Sequence, residues 1–127
     1  MIMKKILAVI PARSGSKLIK DKNLIKINGK TLINIAVSKA ISSKLFSRVL
    51  ISTDSQKYAN EAIRCGGEIL ELRPKNLSGG KVTLALVLKD ILQKLKNNGE
   101  IYESIISIQP TSPFLKISTL KKMVKIF

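Results

Sequence analysis

Residues 6–10, Ile6-Leu7-Ala8-Val9-Ile10, form an apolar run that breaks at Pro11 and gives way at once to the basic, Ser- and Gly-containing segment Ala12-Arg13-Ser14-Gly15-Ser16-Lys17. An apolar run without alternation suits a strand covered on both faces, the condition of a parallel sheet whose crossover connections lay helices above and below it. At five residues the run is shorter than a signal-peptide core and far short of a membrane span. A buried first strand in a cytoplasmic protein, with no membrane partner, is the expectation.

The rest of the chain keeps that alternation. Asn28-Gly29 marks a tight turn, and Ile33, Ala36, Val37 and Ala40 repeat at helical spacing over 31–42. Arg48–Thr53 reads as a second buried strand; Asp54 or Ser55 can cap a following helix that runs to about Cys65, with Asp54 the expected cap. Gly66-Gly67 stops that helix, and Glu68–Leu72 reads as a third strand. Leu84, Leu88, Ile91, Leu92 and Leu95 stripe a helix over 81–97, Glu103–Ile108 reads as a fourth strand, and Ile117, Leu120, Met123, Val124 and Phe127 begin a fourth helix. The fold class is therefore α/β, a mostly parallel sheet with helices on both faces and right-handed crossovers, in one domain over 1–127. The sheet edge left bare and the end of the chain within an amphipathic helix read as the front part of something larger.

Ligands of such sheets bind at the carboxyl ends of the strands. Here those ends are 11–23, 52–55, 73–81 and 109–115, which are also the segments richest in hydroxyl, Gly, Pro and charged residues. A net charge of +15, from 23 Lys and Arg against 8 Asp and Glu, favours anionic partners. The lysines are scattered and aromatics make up 4%, so there is little on which nucleic-acid bases could stack, and nucleic acid is not the expected partner. With no His and the single Cys65, the chain can build neither a His/Cys zinc site nor a His-based triad nor an internal disulfide. A metal would be held by carboxylates, phosphates and water, which suits Mg²⁺.

The segment after the first strand lacks both the Walker spacing and the dinucleotide-binding glycine pattern. Gly15 and the serines would let backbone N–H groups approach phosphate oxygens, with Arg13 and Lys17 adding fixed charge. On chemistry alone, an anion-binding loop and an ordinary polar turn both remain open.

Pro11-Ala12-Arg13-Ser14-Gly15-Ser16-Lys17, Lys22-Asn23, and Asn28-Gly29-Lys30 with Leu32-Ile33 are followed in order by Val49–Ser55, Leu72-Arg73-Pro74 with Leu77-Ser78, and Gln109-Pro110-Thr111-Ser112-Pro113. Together these resemble the N-acylneuraminate (CMP-sialic acid) cytidylyltransferase family. The resemblance covers nearly all of this chain and about the N-terminal half of the family's length. It implies a Rossmann-like nucleotidyltransferase fold. It implies attack by the anomeric hydroxyl of a nine-carbon acidic sugar on the α-phosphate of CTP, with pyrophosphate leaving and Mg²⁺ assisting.

Position by position, the resemblance implies that Arg13 and Lys17 clamp the triphosphate as the catalytic pair, supported by Ala12 and the main chain of Ser14, Gly15 and Ser16. Lys22 and Asn23 would meet phosphate and the cytosine or ribose, and Arg73 the base. Gln109, Thr111 and Ser112 would line the sugar pocket, of sialic or legionaminic type. Leu18 stands where the family has Gly, Gly79–Val82 replaces an Asp followed by small hydroxyl residues, and Phe114-Leu115-Lys116 replaces Leu-Arg. The half of the family that the resemblance does not cover would carry the Mg²⁺ carboxylates, more of the sugar site and the arm used for homodimerisation. Two further readings stay open: a non-catalytic remnant or subunit that binds CTP or CMP, and a small basic nucleic-acid-binding protein.

Overall fold

In the computed structural model, which describes residues 5–14, 21–77, 82–110 and 118–119, the apolar run becomes β1 (Ile6–Pro11). It is followed by a 3-10 turn at Lys22–Leu24, β2 (Lys26–Ile27), β3 (Lys30–Thr31), α1 (Leu32–Ser43), β4 (Arg48–Ser52), α2 (Gln56–Arg64), a 3-10 turn at Lys75–Leu77, α3 (Leu84–Asn97) and β5 (Ser104–Ser107). Among the described residues β4, β1 and β5 form a parallel sheet in that order, with β1 in the middle.

Because successive strand residues point to opposite faces, a central strand needs apolar residues at every position, and β1 has them. Ile6, Ala8 and Ile10 pack with Ile33, Ala36, Val37 and Ala40 of α1 and Tyr58 and Ala62 of α2. Leu7 and Val9 pack on the other face with Leu50 and with Val87, Ile91 and Leu95 of α3. Among the described residues the expected helices lie on both faces, α1 and α2 on one and α3 on the other.

Local chemistry sets the ends of the elements. Asn28 and Gly29 take φ of 52° and 81°, the left-handed pair that a two-residue hairpin between β2 and β3 demands. Thr31 caps α1 by accepting from the Asn34 amide, and Thr83 caps α3 by accepting from Leu86. α3 therefore begins at Leu84, past the expected start at 81, which lies outside the described residues. Of the fourth helix only 118–119 are described, and they are helical.

The third strand expected over Glu68–Leu72 does not form. Glu68 makes a single parallel bridge to Leu50, with Glu68 N donating to Val49 O and Ile51 N to Glu68 O. The chain then bends at Leu70 and Glu71 and returns to the sheet end only where Arg73 N donates to Thr53 O. Ile69 and Leu70 are half-buried, Ile69 against the α1 and α2 side and Leu70 against the α3 side, while Leu72 is exposed.

Candidate nucleotide site

The register of β1 on β4 pairs Pro11 with Ser52, so the residues that follow the two strands are neighbours. Ala12 N donates to Ser52 O at 2.9 Å, and the hydroxyl of fully buried Thr53 donates to Ala12 O at 2.5 Å while accepting from Ser55 N at 3.1 Å. One residue on, the Asp54 carboxylate accepts from Ser14 N at 2.8 Å and from Ser14 Oγ at 2.7 Å. Ser55, not Asp54, caps α2 by accepting from Tyr58 N. The capping role expected for Asp54 is thereby corrected: its partner lies on the neighbouring strand end. Burial pushes the Asp54 carboxyl up, but the Ser14 hydroxyl and amide and the Arg73 guanidinium outweigh burial and hold it below the ordinary 3.8.

Ala12 is buried and Arg13 exposed. Asn23 is buried, and its Nδ2 reaches Arg13 O at 3.4 Å, which brings the Lys22–Leu24 turn against the segment after β1. Lys22 beside it is exposed. Ahead of that turn Asp21, at φ 51°, accepts from Tyr58 Oη at 3.2 Å and Lys57 Nζ at 2.9 Å.

Arg73 lies at the same edge, half-buried. Its Nε donates to Ser52 Oγ at 3.1 Å and its Nη2 to Ser52 O at 2.9 Å. Burial draws its guanidinium down, with Asp54 opposing and Arg13 adding to the effect, so Arg13, Asp54 and Arg73 share one electrostatic neighbourhood. Much of the Arg73 fork is spent on the main chain, and the cavity behind it, lined by Ser52, Leu77, Val87 and Ile91 among others, is about 20 Å³. That is room for one water. A nucleotide would have to lie on the open side of the strand ends.

Gln109 follows β5 at the same end of the sheet, exposed, with Nε2 3.5 Å from Ser107 Oγ; the Ile108 amide ahead of it still bonds Val9 O at 2.9 Å. Gly15, Ser16, Lys17, Thr111 and Ser112 lie outside the described residues. The described part of the expected site thus gathers Ala12, Arg13, Ser14, Asn23 and Arg73 at one edge. Thr53 and Asp54 belong with them and were not singled out as site residues from the sequence; the signal was their place directly after a strand that pairs with β1.

Mg²⁺ finds no ligand set here. Among the described residues no three His, Cys, Asp or Glu side chains gather. Asp54 spends both oxygens on Ser14, and Asp21 spends its own on Tyr58 and Lys57. Among the described residues, too, no helix is long and apolar enough to cross a membrane.

Residues 7–126 match the family described as Cytidylyltransferase. The chain is similar to the CMP-N,N'-diacetyllegionaminic acid synthase of Legionella pneumophila, 35% identical over 96% of this chain and 53% of that protein. It is similar to the N-acylneuraminate cytidylyltransferase of Escherichia coli, 36% identical over 97% of this chain and 28% of that protein. The chain therefore spans about half or less of the length of these relatives. Its fold is that of CMP:2-keto-3-deoxy-manno-octonic acid synthetase complexed with CTP, at a TM-score of 0.80 and 21% identity over 96% of this chain and 46% of that one. The Rossmann-like nucleotidyltransferase fold expected from the sequence is the fold observed.

Proposed function

Because the chain belongs to the cytidylyltransferase family, we propose that it forms the nucleotide-binding part of an enzyme that couples CTP to a nine-carbon acidic sugar. The anomeric hydroxyl oxygen bonds the α-phosphorus, the bridge from α- to β-phosphate breaks, the hydroxyl proton is released, and a CMP-sugar and pyrophosphate result. The observation that supports this most is the convergence of Arg13, Asn23 and Arg73 at the carboxyl edge of β1 and β4, linked through Arg13 O and Ser52 O.

In this reading Arg13, exposed at the strand end, neutralises the triphosphate together with Lys17, which is its reactive-end partner, and with Lys22. Fixed cations there offset the charge that builds as pyrophosphate departs and hold the attacking and leaving oxygens in line. Asn23, whose amide carries both a donor and an acceptor, reads the cytosine or ribose. The main chain of Ala12, Ser14, Gly15 and Ser16 supports the clamp on the triphosphate. Arg73 meets the nucleotide base from the same edge. Gln109, Thr111 and Ser112 face the sugar, and Gln109 favours the sialic or legionaminic type. We place the Mg²⁺ ligands outside the described residues and assign no step to the ion.

Titration calorimetry with CTP, UTP and ATP, beside pyrophosphate release with N-acetylneuraminic, legionaminic and pseudaminic acids, tests the reading. Selective CTP binding with Mg²⁺-dependent release supports it, and turnover of pseudaminic acid in preference to the other two overturns the role of Gln109. CTP binding without release favours a non-catalytic CTP- or CMP-binding subunit, the reading supported by the missing carboxylate group among the described residues. Steeply salt-dependent DNA or RNA binding that CTP does not displace would overturn both.

A further inference from the structure

Ser14 and Asp21 are the described residues on either side of the segment that carries Lys17, and the start of α2 holds both. Asp54 takes the two donors of Ser14, its amide at 2.8 Å and its hydroxyl at 2.7 Å. Tyr58, buried and so fixed in place, donates its hydroxyl to Asp21 at 3.2 Å, and Lys57 donates to the same carboxylate at 2.9 Å. The amide and hydroxyl of one residue meeting two oxygens of one carboxylate fix orientation as well as distance.

Among the described residues Asp54 bonds Ser14 with both carboxylate oxygens and has the Arg73 guanidinium as a nearby charge. Its neighbour Ser55 caps the helix, and Thr53 already ties the two strand ends. An ionised carboxylate in a site meant for an anion weakens the local positive potential, so it must return something for that cost. A phosphate at Ser14 would compete with Asp54 for the same two donors and would face its negative charge.

We infer that Asp54, just ahead of α2, is a positioning residue for the segment after β1 at Arg13 and Ser14, and that Ser14 is the pin of that segment and not a phosphate ligand. This rests on the nucleotide-binding reading above. With Ala12 O held by Thr53, Arg13 O reached by Asn23 and Ser14 held by Asp54, the main chain of Arg13 is gripped on both sides while its side chain projects to solvent. The binding of CTP then depends on Asp54 without contact between them.

The test is Asp54→Ala, Asp54→Asn, Ser14→Ala and the double variant D54A/S14A in the full chain. CTP affinity is measured by calorimetry in EDTA, amide hydrogen exchange over residues 5–21 by mass spectrometry, and folding by thermal melting. D54A is expected to bind CTP about tenfold more weakly, close to 1.4 kcal/mol, with D54N in between because it keeps an acceptor for the Ser14 amide. S14A adds little on top of D54A, and exchange at residues 12–14 accelerates at least about tenfold in D54A, as loss of a protecting charge-assisted bond requires. A lowered melting temperature with CTP affinity unchanged in the folded variant, or tighter CTP binding by D54A, would each overturn the inference. If D54A does not fold, D54N and S14A carry the same comparison. If the wild-type chain binds no CTP, the nucleotide reading fails and with it the link to binding, whereas the exchange measurement still decides whether Asp54 anchors the loop.

Discussion

Thr53→Val is the most informative single change for the architecture of the strand ends. Thr53 is fully buried, and valine keeps its shape while deleting one hydroxyl. That hydroxyl donates to Ala12 O and accepts from Ser55 N, so it links the segment after β1 to the start of α2. Losing the donor strands a carbonyl of a residue that is itself 1% exposed; losing the acceptor strands a partly buried N–H. A buried polar group left without its partner costs about 1–3 kcal/mol. The carbonyl should bear most of that cost, because the Ser55 amide has readier access to water. The expected destabilisation is about 2–3 kcal/mol, a large share of the roughly 5–15 kcal/mol that holds a domain of ordinary size. Thr53→Ser is the control: it keeps the hydroxyl and removes one methyl, for about 1 kcal/mol. Urea unfolding followed by circular dichroism measures both, with an unchanged slope required for the comparison. T53V as stable as wild type, or less damaging than T53S, would refute the reasoning that this hydroxyl joins the two strand ends.

Three further outcomes are expected. Leu95→Ala, in the fully buried cluster between α3 and the sheet, should cost about 3 kcal/mol in urea unfolding, and a loss under 1 kcal/mol would show that α3 is not packed as described. Gly29→Ala meets no atom within 4 Å at its new Cβ but must keep φ near +81°, so its cost should be the backbone term alone, about 1 kcal/mol by thermal melting. The Arg64 side chain, with Thr31 adding to it against a smaller burial effect, holds Glu61 below its ordinary 4.5, as Asp54 lies below 3.8. A depressed carboxyl contributes stability that is complete above its unfolded value and is lost as pH falls through the folded one. Unfolding midpoints should therefore drop as pH falls below these values, and Glu61→Gln should flatten that decline; an unaltered slope in the variant would count against the Glu61 contacts.

How much of this was legible in the sequence divides along a physical line. Features set by neighbours in the chain read well. The five apolar residues of β1 are buried on both faces, Asn28-Gly29 makes the left-handed turn, and the stripe of α1 faces the sheet. Of the α3 stripe, Ile91 and Leu95 are buried and Leu88 and Leu92 partly so, while Leu84 is exposed and Val87 takes a buried place. Glu68–Leu72 misled because Ile69 and Leu70 pack on opposite faces beside the sheet, the alternation a strand would also show. Only the course of the backbone, bending at Leu70 and Glu71 after one bridge, tells the two apart.

Asp54 failed for a related reason with a different remedy. Within its own segment, Thr53-Asp54-Ser55 before a helix offers several side chains able to cap, and local chemistry favours an acid there as readily as a serine. The deciding partner, Ser14, is forty residues away along the chain. Yet parallel pairing of β1 with β4 already implies it: with Pro11 opposite Ser52, the polar residues immediately beyond each strand must lie side by side. Here the partly buried Ser14 and Asp54 bond across the two strand ends while Ser55, one residue on, serves its own helix. In a sheet of this kind, the residues that follow two adjacent parallel strands are best weighed as one cluster, and a carboxylate among them is first a candidate for holding the neighbouring loop.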